Sequence, residues 1–163
     1  MVVTGMGVVT PIGIIHSPFK EAEGVPIQTV YAGGVKGTVE VYPEYSGGLA
    51  DLDGFSHIIL LYWFHKSSNY TLTCRPFLDT QERGVFATRA PRRPNPIGFS
   101  IVELLNIEGC FLTVGSIDII DQTPLLDIKP YVPDFDVREQ VRTGWYEKAQ
   151  NKSQIVADRR FTS

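Results

Sequence analysis

The sequence is poor in the residues that staple or metallate a fold: it has two cysteines and three histidines among 163 residues. Cys74 and Cys110 are far apart and neither belongs to a CxxC pair, so buried thiols are the plain reading, with one long-range disulfide as the alternative. His57 and His65 sit eight apart on one strand-like run, which places them on one face but several pleats from each other. No carboxylate stands at a ligand spacing from them or from His16, and no metal site is expected. A long apolar run is also missing. The longest, Ile58 to Phe64, falls far short of the roughly 20 residues a helix needs to span a bilayer. No membrane association is expected, no leader peptide is recognised at the amino terminus, and the cytoplasm is the expected compartment. Charge of one sign is lacking too: 15 Lys and Arg stand against 18 Asp and Glu, a net charge of -3, which excludes a protein held to nucleic acid by overall charge alone.

Helical periodicity is scarce, whereas short β-like segments are many. Ile12 to His16, Gly37 to Val41, His57 to Phe64, Gly84 to Thr88, Ile97 to Asn106 and Phe111 to Ile120 are rich in Val, Ile, Phe and Tyr and are separated by Gly and Pro. Ala50 to Asp53 suggests one turn and Trp145 to Lys152 a short helix, while Glu21 to Gly34 and Lys66 to Arg83 read as long loops. The fold class is mainly β. Six or more evenly spaced strands imply a barrel or a sandwich, and the barrel is favoured because closure removes exposed edges. The chain length fits one domain over 1–163, with no additional carboxy-terminal domain expected.

Gly5-Met6-Gly7 after two valines imitates a dinucleotide fingerprint, but Thr10 replaces the third glycine and Pro11 would stop the helix it requires. It reads as a lead-in to the first strand. Two later segments are more informative. Arg89-Ala90-Pro91-Arg92-Arg93-Pro94-Asn95-Pro96 is neither helix nor central strand, and its prolines make it a stiff loop from which the arginines would project. From Arg75 to Arg93 there are five basic residues and two acidic ones, a positive island suited to phosphate. For any single arginine a structural carboxylate partner is the plainer reading. The second segment, Asp118-Ile119-Ile120-Asp121-Gln122-Thr123-Pro124, places carboxylates where ribose hydroxyls can be held, or merely caps a turn. Asp127 beside Lys129 reads equally as an ion pair.

GVFATRAPRRPNPIGFSIVELL and GSIDIIDQTPLLDIKPYVPDFD, together with IGIIHSPFK and FSHIILLYWFHK, resemble the TsaA-like family, whose best-known class is the TrmO-type tRNA methyltransferase. The resemblance runs from about Ile12 to Trp145. It implies a single-sheeted β-barrel that binds S-adenosylmethionine, acts as a homodimer, and methylates the exocyclic amine of threonylcarbamoyladenosine beside the tRNA anticodon. By matching position it implies a cofactor site of Pro26, Ile27, Gln28, His65, Lys66, Arg89, Phe99, Asp118, Ile119, Ile120 and Asp121. Related sequences often read VPRQ where this one reads VPIQ, and Gly where this one has Gln122, a residue that enters the left-handed region only at a cost.

Methyl transfer from a sulfonium to an amine needs positioning and water exclusion rather than a covalent nucleophile. Tyr62, Trp63, Phe99 and Tyr131 are aromatic faces that could meet the cation, and Asp118, Asp121 or a backbone carbonyl of Pro94-Asn95-Pro96 could accept from the amine. Arg75, Arg92, Arg93, Lys129, Arg138 and Arg142 are the expected RNA phosphate contacts, and a dimer would join two such basic patches. The alternative is a non-catalytic barrel that binds RNA or a nucleotide-like ligand.

Overall fold

In the computed structural model, which describes residues 7–161, eight strands are present: β1 Gly13–His16, β2 Gly37–Val41, β3 His57–Trp63, β4 Thr73–Cys74, β5 Arg83–Gly84, β6 Ile97–Glu108, β7 Phe111–Gly115 and β8 Thr123–Pro130. Six of them close a barrel in the order β1-β2-β7-β6-β3-β8, with β8 returning to β1 and every pairing antiparallel. The first six residues, which hold most of the glycine-rich lead-in, lie outside the described residues.

Period-two alternation fills the barrel. On β2, Val39 and Val41 point inward while Thr38 and Glu40 do not; on β3, Ile58, Leu60 and Tyr62 point inward; on β7, Leu112 and Val114. Ile15, Val102 and Leu125 complete the layer, each fully buried. β-branched residues dominate this core because they are stiff at χ1 and pack well on a pleated surface. β6 serves two neighbours: Ile97 to Glu103 pairs with β3 and Glu103 to Glu108 with β7. An extra residue, Leu105, lets it bend between them, as bulges do. A second shift places Leu61 opposite Asp127 but Tyr62 opposite Leu125.

Several expectations need correction. Gly84 to Thr88 is not a strand: Arg83–Gly84 pairs only with Thr73–Cys74, and Val85–Ala87 is a 3-10 turn closed by the Thr88 hydroxyl and amide donating to the Val85 carbonyl at 2.9 and 3.1 Å. The strand begun at Phe111 stops at Gly115, because Ser116 turns left-handed at φ 56° and sends Ile117 and Ile119 into the end of the barrel. Thr123–Pro130 is a full strand whose two prolines and one aspartate, Asp127, give it the composition of a turn; Pro124 and Pro130 occupy its two ends, where a missing N–H is tolerated. In place of the helix expected over Trp145 to Lys152 there is a 3-10 helix over Gly144–Lys148. His57 and His65 do not share a strand face, because β3 ends at Trp63.

Below the barrel mouth, Cys74, Val85, Ala90 and Phe161 form a small second core with Phe77 packed on it. The Cys74 thiol lies there, 3.5 Å from the Thr88 hydroxyl, and both cysteines are free. Among the described residues no helix is long and apolar enough to cross a membrane.

Gly98 decides how β3 meets β6. A Cβ there would lie 2.1 Å from Cε2 and 2.5 Å from Cζ of Tyr62, whose ring is buried in the core. Gly98→Ala is expected to destabilise the fold by about 1–3 kcal/mol, the usual range for overpacking. Denaturant unfolding should show a lower midpoint with unchanged slope.

Candidate functional site

The 117–122 segment plugs one end of the barrel, and around it gather the 22–28 loop, the end of β3 and the proline-rich loop before β6. They enclose a cavity of about 460 Å³. Pro26, Ile27, Gln28, His65, Lys66, Arg89, Phe99, Asp118, Ile119 and Ile120 all line it. Asp121 does not. Its carboxylate accepts from the Ser17 amide at 2.9 Å and from Lys20, fastening the turn to the chain after β1. Although burial raises its pKa, these donors outweigh that cost and hold it at about 2. Gln122 keeps the left-handed turn without glycine, at φ 65°, and its side-chain amide donates to His16 Nδ1 at 3.0 Å. That bond offsets part of the backbone cost.

The centre of the wall is polar and ordered. Arg89 donates from Nη1 to Gln28 Oε1 at 2.8 Å and its guanidinium lies 5.6 Å from the centroid of the Phe99 ring. Facing the cavity from the plug, Asp118 accepts from the Ser100 hydroxyl at 2.7 Å. Burial lifts the Asp118 pKa to about 6, against the opposing pull of Ser100, of its own backbone amide and of the Arg89 charge. Thr123 donates its one hydroxyl proton to the Ile120 carbonyl at 2.6 Å, so at 3.3 Å it can only accept from His65 Nδ1. His65 Nε2 is then the acceptor in the neutral ring. Burial first and the neighbouring Lys66 charge second depress its pKa, which favours that neutral form.

Several lining residues were not among the expected site residues. Phe64, Ile97 and Thr123 reach the cavity only because the barrel closes, and Ala157, Asp158 and Phe161 come from the carboxy-terminal segment. Ser100 was legible only as a polar residue inside an apolar strand. Of the anticipated aromatic faces, Phe99 and Tyr62 line the cavity, Tyr131 lines a neighbouring groove, and Trp63 lines neither.

That groove, about 1000 Å³, borders the same Gln28, Arg89 and Phe99 and is walled by Tyr31, Phe86, Tyr131, Trp145 and Tyr146. The arginine island is less uniform than expected. Arg93 turns back, donating to the Thr88 and Ala90 carbonyls at 3.0 and 3.2 Å, and so holds the proline loop instead of projecting from it. It reaches the cavity wall, whereas Arg75, Arg92, Lys129, Arg138 and Arg142 line neither cavity nor groove. Arg75, Arg138 and Arg142 are exposed, Arg92 is half-buried, and Lys129 pairs with Asp127 at 2.7 Å. Among the described residues no three His, Cys, Asp or Glu side chains gather in a group that could hold a metal ion.

A closed antiparallel barrel with one mixed polar and apolar cavity at its plugged end defines a ligand-binding barrel. The family model described as the tRNA-methyltransferase O N-terminal domain matches residues 14–137, and the chain belongs to that family. A Pyrococcus abyssi protein described as a probable S-adenosyl-L-methionine-binding protein is 57% identical over 148 residues, covering 91% of this chain and 80% of its own length. The Escherichia coli tRNA (adenine(37)-N6)-methyltransferase is 39% identical over 75% of this chain, which spans 56% of that enzyme. The crystal structure of TrmO from Pseudomonas aeruginosa superposes with a TM-score of 0.72 at 40% identity, covering 86% of this chain and 62% of that one.

The raised Asp118 pKa has a stability consequence with a definite sign. The folded state holds its proton up to about pH 6 and the unfolded chain only to the ordinary value of 3.8, so this group's contribution falls as pH rises between them. Asp118→Asn removes the cost of a buried charge and still accepts from Ser100. It is expected to stabilise the protein at pH 7.5 by up to roughly 3 kcal/mol and to be nearly neutral below pH 4. Thermal unfolding across that range checks it.

Proposed function

We propose that this protein is an S-adenosylmethionine-dependent tRNA methyltransferase, and that the 460 Å³ cavity is its cofactor site. The observation that carries the reading is the cavity itself. Within the family-matched part of the chain it sets Arg89 and Gln28 beside Phe99, with Asp118 on the same wall. Its size lies in the range of ordinary small-molecule sites, roughly 300–1,000 Å³. Its donors, carboxylate and aromatic faces match a ligand that joins a purine, a sugar, a cationic sulfur and an amino acid.

Ile27, Ile119 and Ile97 supply flat apolar contact for a base. Arg89 is placed to hold a carboxylate, and Phe64 and Phe99 offer ring faces to positive charge. When bound, the cofactor supplies an electrophilic methyl group. The residues around it orient the acceptor amine for in-line displacement and keep water out, and the effect comes from positioning. Asp121, engaged with Ser17 and Lys20, is unsuited to accept a proton in the cavity. The substrate amine is N6 of threonylcarbamoyladenosine at position 37, the position named for the E. coli relative, in cytoplasmic tRNA. Pro26, His65, Lys66 and Ile120 complete the cofactor wall, while exposed Arg75, Arg138 and Arg142, with Arg92 and Lys129, meet the RNA backbone of a homodimer's two patches.

Calorimetric titration with S-adenosylmethionine tests the site. Arg89→Ala should weaken binding about tenfold or more, as loss of a charged hydrogen bond does. The same variant should lose methyl transfer to tRNA carrying the modified adenosine. Tight binding by wild type with no transfer to any tRNA would instead favour a non-catalytic nucleotide-binding barrel, and no binding at millimolar ligand would refute the cofactor site.

A further inference from the structure

Three elements meet behind Asp118. Tyr62 on β3 packs its ring into the space that Gly98 leaves open, and its hydroxyl reaches Ser100 Oγ on β6 at 2.9 Å. Ser100 Oγ in turn lies 2.7 Å from Asp118 Oδ1 on the plug. With the carboxylate ionised, the proton order along this chain is fixed. Asp118 has nothing to donate, so Ser100 donates to it, and the lone pair left on Ser100 receives the Tyr62 proton. Tyr62 keeps that proton, because burial and then the Asp118 charge push its pKa well above the ordinary phenol value.

The chain is specific chemistry rather than filler. A phenylalanine would occupy the Tyr62 ring space and an alanine the Ser100 position with no loss of apolar packing. What they would lose is a directed pair of hydrogen bonds ending on one oxygen of a carboxylate that lines the cavity. A carboxylate held at one oxygen has few orientations left, so the cost of ordering it is met before any ligand arrives.

Resting on the cofactor-site reading above, we propose that Tyr62 and Ser100 are positioning residues. Through them Asp118 is held as a preset acceptor for a hydrogen-bond donor of the bound cofactor, either its ammonium or its ribose hydroxyls. Asp118 is faced by Tyr62 from β3, by Ser100 from β6 and by the Arg89 charge from the loop before β6. The other charged or titratable groups on the same wall are His65, Lys66, Arg93 and Asp158. All of these but Ser100 remain in a Ser100→Ala protein, so a change in that variant isolates the relay.

The test has two readouts on the whole chain. The first is the carboxyl 13C titration of Asp118 in ligand-free protein. Wild type should titrate near pH 6, and Ser100→Ala should titrate higher, because the donor that favours the charged form is gone. The second is S-adenosylmethionine affinity from pH 5 to 8.5. Wild-type affinity should rise as Asp118 ionises. Ser100→Ala should bind about fivefold more weakly at pH 7, the size of one ordinary hydrogen bond, with the rise moved to higher pH. Ser100→Thr should restore both, and Tyr62→Phe should show a smaller change in the same direction. If wild type binds and Ser100→Ala keeps both its titration and its affinity, the relay is overturned while the cofactor site stands. If wild type does not bind at all, the cofactor site falls, and with it the purpose assigned to the relay.

Discussion

The cavity-bearing end of this barrel depends on one close approach, the Tyr62 ring against the bare Cα of Gly98. No other residue at position 98 lets a core aromatic lie flat on the neighbouring strand, since even a methyl group would overlap the ring. The consequences spread outward. The ring's position places its hydroxyl at Ser100, and Ser100 places the Asp118 carboxylate at the cavity wall. The irregular register between Leu61 and Tyr62 occurs at the same point, where β3 turns from facing Asp127 to facing Leu125. Packing of the barrel and geometry of the site thus meet in the Tyr62 side chain, its ring belonging to the core and its hydroxyl to the site.

That arrangement carries a standing electrostatic cost. For a carboxylate at the end of an apolar barrel, the charged form is favoured by the Ser100 hydroxyl, by its own backbone amide and by the Arg89 charge, all working against burial. Asp121, three residues on, has the opposite fate: its donors are so well placed that it stays ionised far into acid. Two aspartates on one turn are therefore divided by environment, one fastening the turn and one left poised at the cavity. A fold selected for stability alone would place an uncharged residue at 118, and keeping a charge there is the usual mark of a site retained for binding.

Much of this was legible in the sequence. Strands β1, β2, β3, β6 and β7 follow from alternation and β-branched content, with β7 ending earlier than expected, and barrel closure follows from their number and spacing. Most of the cavity wall coincides with the residues that the family resemblance marked, because they lie in contiguous segments. The failures have physical causes. Thr123–Pro130 was obscured because prolines at its ends and the partly exposed Asp127 carry the composition of a turn. Gly84 to Thr88 had strand composition but no partner long enough to pair with, so Thr88 closed it into a 3-10 turn. Arg93 could not be told from its neighbours in a run of arginines and prolines, since only the folded loop shows which guanidinium faces its own carbonyls. Ser100 could not be singled out either, because a buried serine on a strand acquires meaning only from the groups that barrel closure brings to it.

The part of the site furthest from local pattern is its carboxy-terminal wall. The family match ends at residue 137, yet the cavity is bounded by Ala157, Asp158 and Phe161. These residues do not merely lie nearby. Val156 bridges to Pro26, the Gly24 amide donates to the Ala157 carbonyl at 2.8 Å, and the Ala157 amide returns the bond to Val25 at 2.8 Å, so the segment runs as a short strap along the loop that carries Pro26, Ile27 and Gln28. Phe161 anchors its end in the second core against Phe77, and Arg160 donates to the Arg75 and Pro76 carbonyls while its guanidinium lies 4.8 Å from the Phe77 ring centroid. A loop with little regular structure of its own is thereby held at both the backbone and the side-chain level. Gln28 can meet Arg89 across the cavity because its loop is tied down, and the strap is what ties it. The barrel supplies the rigid floor of the site, and the chain's own distant end supplies the restraint on its most irregular wall.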